Sequence, residues 1–242
     1  MSVVLLIHGA FRGGWAWRSV APLLVAEGHQ VHAPSLTGMG EMRRRRAVDD
    51  EGRALPVSLT TWVDDVHLRL EERDLRDVVL VGHSQGGVVA LAASASDCSR
   101  VRSIVLLDSP VPGAGQSAAE VLSPEARASW GQPPPPDAWL PPMPVSGPEW
   151  AGDPELAAWV NARLCPSPAR PGYDPVVVSD PRWHDLPRHY IFCSRTPASY
   201  PSSVSRARLE AKGEPVILID AGHDAPLTDP ALVAATLLPL VA

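Results

Sequence analysis

Residues 78–89 read VVLVGHSQGGVV, and no other stretch limits the fold of this chain so tightly. Apolar β-formers run straight into Gly82-His83-Ser84-Gln85-Gly86, and small and apolar residues follow. A strand that gives way to a helix within a few residues must pass through a strained backbone position. That position falls on Ser84. Glycines two residues before and two after remove the Cβ atoms that would collide at such a turn. The hydroxyl is then lifted clear at the C-terminal end of the strand. The first amides of the helix point toward any negative charge that develops there. G-x-S-x-G alone is weak evidence, because it also arises in loops and at helix N-caps. The strand before it and the helix after it make this one a nucleophile elbow.

The rest of the chain alternates in step with it. Apolar runs at 3–7, 30–33, 78–81, 101–107, 189–193 and 216–219 read as strands. Helical periodicity covers 15–27, 60–73, 87–95, 201–212 and 229–240. The pattern predicts an α/β fold, with six strands in a mostly parallel sheet, right-handed crossovers and helices on both faces. Residues 35–58 are glycine-rich and charged and read as a long surface loop, with Arg43 to Arg46 as a solvated basic run.

One segment breaks the alternation. Between Pro110 and Pro187 lie 18 of the 27 prolines and five of the eight tryptophans: Trp130, Trp139, Trp150, Trp159 and Trp183. A disordered linker would be poor in aromatics, so this segment reads as ordered. It includes a proline run at 133–136 and short helices at 118–122 and 154–164. The expected organisation is a core of residues 1–109 and 187–242, with 110–186 inserted as a cap over an apolar pocket. Phe11, Trp139, Met143 and Trp159 are the expected substrate-binding side chains.

Charge and cysteines narrow the function. A net charge of −6 disfavours nucleic acid and anionic membranes as partners. Cys98, Cys165 and Cys193 are widely spaced and match no metal-ligand pattern, so reduced thiols and no metal are expected. The N-terminus has no signal-peptide pattern and no run is long enough to span a bilayer, which points to the cytoplasm. A small-molecule substrate is expected; the oligomeric state is left open.

A serine nucleophile needs an adjacent base, and histidine titrates near working pH. Of the eight histidines, His223 follows the last strand, at the sheet end where Ser84 emerges. His83 reads as a packing residue that points away from Ser84, and His8 as a brace for the loop after the first strand. His29, His32, His67, His184 and His189 have no context that singles them out.

With these residues in view, the chain resembles the α/β-hydrolase superfamily, in the cofactor-free branch of esterases, methylesterases and hydroxynitrile lyases. The resemblance rests on Val3-Val4-Leu5-Leu6-Ile7-His8-Gly9-Ala10 with Gly14-Trp15-Ala16-Trp17 and on Ala33-Pro34-Ser35-Leu36-Thr37-Gly38-Met39-Gly40. Val81 to Gly87 and Gly222-His223-Asp224 complete it. It implies an α/β-hydrolase fold and no cofactor. It also implies Ser84 as nucleophile, His223 as base, and the backbone N–H groups of Ala10 and Gln85 as oxyanion hole. The family's acid usually follows the strand at 189–193. Here Ser194-Arg195-Thr196-Pro197 stands there, and the expected position near Thr196 holds no carboxylate. Asp108, at the end of the preceding strand, is the nearest alternative; it also suits a turn before Pro110. Asp180, Asp220 and Asp224 are weaker candidates, and a Ser84–His223 dyad is the remaining option.

Three functions are open at this point. The first is hydrolysis of an ester or lactone of a small apolar molecule through an acyl-enzyme. The second is lyase or elimination chemistry at the same site, as in a tailoring enzyme of a biosynthetic pathway. The single lysine, Lys212, sits on a predicted helix, which speaks against cyanohydrin cleavage. The third is a non-catalytic ligand-binding protein, against which an intact Ser84 and His223 argue.

Overall fold

The computed structural model describes residues 1–43, 56–122, 134, 135 and 137–242. Arg44 to Arg46, Trp130, Pro133 and Pro136 lie outside the described residues. The main sheet contains β1 (Val3–Ile7), β2 (Gln30–His32), β3 (Val78–His83), β4 (Val101–Leu107), β7 (Arg188–Cys193) and β8 (Val216–Ile219), in the order β2-β1-β3-β4-β7-β8. All its pairings are parallel. Two further short strands, β5 (Trp139–Leu140) and β6 (Ser167–Pro168), pair antiparallel within the inserted segment. They are too short, and one contains proline, for a sequence pattern to reveal them.

Side chains alternate along each buried strand, and this divides the core in two. Leu5, Ile7, Leu80, Ile104, Leu106 and Phe192 face one side. There they meet α2 (Leu59–Glu72) through Trp62, Val66 and Leu70, and α3 (Gln85–Ser96) through Val88 and Leu91. Val4, Leu6, Val79, Val81, Val105 and Ile191 face the other side. They pack against Leu24 of α1 (Ala21–Ala26) and Val233 and Leu237 of the C-terminal helix, Pro230–Val241. Each face is therefore covered by helices, as a parallel sheet requires.

Two expected elements differ. The helix expected at 15–27 is a 3-10 turn at Gly14–Trp17 followed by α1. Pro22 has no N–H to offer the carbonyl one turn back, and it stands in the first turn of α1, where none is needed. The long surface loop expected after residue 34 is not a surface loop at its start: residues 35–40 are buried. Thr37 binds Asp65 through both its N–H (2.6 Å) and its hydroxyl (2.8 Å), and the Trp62 indole donates to the Thr37 carbonyl (3.0 Å). These bonds pin the segment to α2, whose start is set by a capping box between Ser58 and Thr61.

The inserted segment carries α4 (Ala118–Val121) and α5 (Pro154–Asn161) among its described residues. It touches loops that follow four strands of the main sheet. Cys165 donates its N–H to Phe11 after β1 (3.0 Å), and Trp139 lies on Gly38 after β2. The Gln85 side chain after β3 donates to Pro171 (3.1 Å). Trp150 and Val160 pack on Leu227 after β8. All these contacts lie at the C-terminal end of the sheet, where Ser84 emerges. Among the described residues, no helix is long and apolar enough to cross a membrane.

Candidate active site

Ser84 stands between β3 and α3 with φ 54° and ψ −127°, a left-handed conformation that a non-glycine residue adopts only under constraint. Glycine makes the turn possible. A Cβ on Gly86 would lie 2.4 Å from the Ile7 carbonyl oxygen, and one on Gly82 would lie 2.4 Å from that of Gly86. Ser84 N–H donates to the Leu107 carbonyl (3.0 Å), which ties the elbow to the last residue of β4. The next residue along, Asp108, is thereby held beside it.

The three side chains form one chain of hydrogen bonds. His223 Nδ1 lies 2.5 Å from Asp108 Oδ2, and His223 Nε2 lies 3.0 Å from Ser84 Oγ. A carboxylate only accepts, so Nδ1 carries the proton and Nε2 is free to accept from the serine hydroxyl. His223 comes from the loop after β8, so the site draws on β3, β4 and β8.

Asp108 is 1% exposed and has φ 44°. Burial opposes its charge, but hydrogen bonds from His223, Thr196 and the Cys193 N–H outweigh it and hold the carboxyl below its ordinary range. Thr196 therefore answers the question left by the sequence. It occupies the place where an acid was expected, and its hydroxyl donates to Asp108 Oδ2 at 2.6 Å. The carboxylate stands just after β4, and a donor occupies the position where an acid was expected. Cys193 N–H adds a third bond at 3.3 Å.

The other acids are engaged elsewhere. Asp180 binds Arg182 and Cys98, and Asp220 is paired with Arg195 at the surface. Asp224 is buried and forms an ion pair with Arg12, whose other nitrogen donates to the Ala10 carbonyl (3.2 Å). Arg12 thus ties the histidine loop to the loop after β1. The two residues are 212 positions apart, and no local signal links them.

Gln85 is the first residue of α3, so its N–H has no acceptor one turn back. Ala10 is brought close because a Cβ on the preceding Gly9 would lie 2.9 Å from Ser84 Cβ. His8 braces this loop. Its Nδ1 donates to the Gly9 carbonyl (2.8 Å), and its Nε2 accepts the Leu36 N–H (3.1 Å). A ring that accepts is neutral, and burial lowers its pKa to about 4. An unfolded chain therefore binds a proton that the folded one refuses between pH 6.5 and about 4. Stability rises with pH across that window and is lost on acidification, by up to roughly 3 kcal/mol from this residue. Thermal midpoints measured from pH 7 to pH 4 are expected to fall steeply, and His8→Gln to flatten that slope; equal slopes would contradict the assignment.

Of the four expected substrate-binding side chains, two are placed otherwise. Met143 is 69% exposed and joins none of the buried clusters. The guanidinium groups of Arg18 and Arg163 lie over the Trp159 ring, at 4.4 and 3.9 Å from its centroid, and Trp15 meets it in a T-shaped contact. These cation–π contacts engage the ring surface that a ligand would use. Phe11 and Trp139 are half-buried at the C-terminal end of the sheet, and Phe11 has φ 64°.

A model of the alpha/beta hydrolase family matches residues 4–236. The chain belongs to this family. A carbendazim hydrolyzing esterase of Nocardioides sp. (strain SG-4G) is 38% identical over 122 residues, 50% of this chain and 48% of that protein. The chain thus matches about half the length of that relative. Salicylic acid-binding protein 2 of Nicotiana tabacum is 26% identical over 258 residues, 97% of this chain and 95% of that protein. Among solved structures, an extracellular alpha/beta-hydrolase from a Paenibacillus species superposes with a TM-score of 0.75 at 21% identity, covering 99% of this chain and 98% of that one.

Three more side chains surround His223 and its loop. His83 does point away from Ser84, but it is more than packing: its ring donates from Nε2 to the His223 carbonyl (2.7 Å). Burial, and then the neighbouring His223, lower its pKa to about 3, so it stays a neutral donor. The Tyr200 ring meets the His223 ring edge-on, with centroids 4.9 Å apart. Glu149, from the inserted segment, packs directly on Gly222. Burial, then Asp224, raise its carboxyl above the ordinary range. Only an alignment in space, not a spacing in sequence, relates these three to Ser84.

Proposed function

We propose that this protein is a serine esterase that cleaves an ester or lactone of a small, apolar molecule through an acyl-enzyme. The observation that carries this reading is the continuous hydrogen-bonded path from Ser84 through His223 to Asp108. Relatives named esterase support the substrate class.

The steps follow from the geometry. Ser84 Oγ bonds to the carbonyl carbon while its proton passes to His223 Nε2. Asp108 keeps Nδ1 protonated and stabilises the imidazolium. The carbonyl π electrons move onto oxygen, which accepts from the Ala10 and Gln85 N–H groups. As the tetrahedral adduct collapses, the C–O bond to the alcohol breaks and His223 gives its proton to the leaving oxygen. Water then repeats the sequence on the acyl-serine and releases the acid. The inserted segment lies over this end of the sheet as a cap, with Phe11 and Trp139 beside the substrate. Neither metal nor organic cofactor has a part in these steps. We place the enzyme in the cytoplasm, in keeping with three free, buried cysteines.

Lyase or elimination chemistry of the kind a biosynthetic tailoring enzyme performs is less well supported. Lys212 caps the helix Pro201–Ala211 and lines a cavity that contains none of the three catalytic candidates. It cannot assist there. The test is a pre-steady-state burst with p-nitrophenyl esters of short acids. A burst of about one equivalent per chain is expected; no turnover across such a panel would contradict the proposal and favour a binding role.

A further inference from the structure

A cavity of about 370 Å³ lies between α3, the helix Pro201–Ala211 (α6) and the start of β7. It belongs to no part of the site already described. Arg188, at its charged end, precedes Cys193 by five residues, roughly 16 Å along the strand, and it is Cys193 that reaches Asp108.

The chemistry of its walls is one-sided. Arg188, Arg208 and Lys212 line it, against the single carboxylate of Glu214. None of the three cations makes an ion pair among the described residues. Arg188 lies over the Trp183 ring at 4.1 Å and donates from Nη2 to the Trp183 carbonyl. Its Nε is nevertheless buried with no partner, and so is the indole N–H of Trp183, a residue only 5% exposed. Buried donors without acceptors are rare, because each forfeits its hydration for nothing. Burial also lowers the pKa of Arg188, by more than Tyr190 and Glu214 raise it. The remaining wall is mixed: Gln116 and Ser205 are polar, and Leu91, Leu209 of α6 and the ring of the buried Tyr190 supply its apolar part.

We propose that this cavity binds a small organic carboxylate with an apolar body. The carboxylate meets Arg188, Arg208 and Lys212, and the body packs against Leu209 and Tyr190. A carboxylate supplies counter-charge where three cations face the single carboxylate of Glu214. The apolar wall gives an organic body surface to cover, which an inorganic anion lacks. This site is independent of the proposed esterase reaction and stands whether or not that reading holds.

Benzoate is the probe, and the Trp183 indole N–H resonance is the reporter, assigned by triple-resonance methods. Titration is expected to move that resonance saturably, with a Kd on the order of 1 mM. In Arg208→Gln/Lys212→Gln, one half-buried and one exposed position, the same shift should need about tenfold more benzoate. Inorganic phosphate at the same concentrations should leave the resonance in place. An indole that does not move, a response unchanged in the double variant, or an equal response to phosphate would each overturn the proposal.

Discussion

Ser84→Ala is expected to abolish the acyl burst and to lower kcat by roughly 10⁴- to 10⁶-fold. The elbow exists to present one atom. Its backbone holds φ 54°, and its neighbouring glycines admit no Cβ without a clash at 2.4 Å. Alanine fits that backbone no worse than serine, so the fold is retained and the loss is chemical. His223 keeps its tautomer through Asp108 but has no hydroxyl to deprotonate. Residual turnover above that of free water would reflect the Ala10 and Gln85 N–H groups and substrate positioning. A variant with more than a tenth of native activity would mean that another nucleophile operates.

Asp108→Asn is the second large effect, expected to lower kcat by about 10⁴-fold. The amide offers His223 Nδ1 either a donor or an uncharged acceptor, so neither the tautomer nor the imidazolium is supported. Thr196 makes this loss partly reversible. Its hydroxyl lies 2.6 Å from Asp108 Oδ2, the same oxygen that binds His223. Adding Thr196→Asp to Asp108→Asn should therefore return a carboxylate to the side of His223 and restore about tenfold or more of the lost rate, since neighbouring changes are not additive. No recovery, with the fold intact, would show that Thr196 is not placed to substitute. Full activity in Asp108→Asn alone would assign the site to a dyad.

The sheet and the elbow were legible because their signals are local. Apolar runs such as residues 101–107 and 216–219 became strands with the same bounds, since a buried parallel strand has little else it can be. Ser84 and His223 were legible for the same reason: each follows a strand at the same end of the sheet. Asp108 was reachable only by noticing that Thr196 is no acid. The donors around it, Thr196, Cys193 N–H and, behind His223, His83, depend on how separate strand ends meet. The Arg12–Asp224 pair depends on contacts 212 residues apart. The inserted segment was read least well. Its tryptophans did signal order, and Trp150 is buried with Val160 and Leu227. Trp159 and Met143, however, look alike in sequence to any pocket residue. Only the two guanidiniums over Trp159, and the exposure of Met143, separate them from that role.

Intact-mass spectrometry of the enzyme quenched in acid during turnover of p-nitrophenyl butyrate tests the central claim most directly. The account predicts one butyryl adduct per chain, mapped to the peptide that carries Ser84 and absent from Ser84→Ala. Turnover without any adduct, or an adduct on another residue, would contradict it.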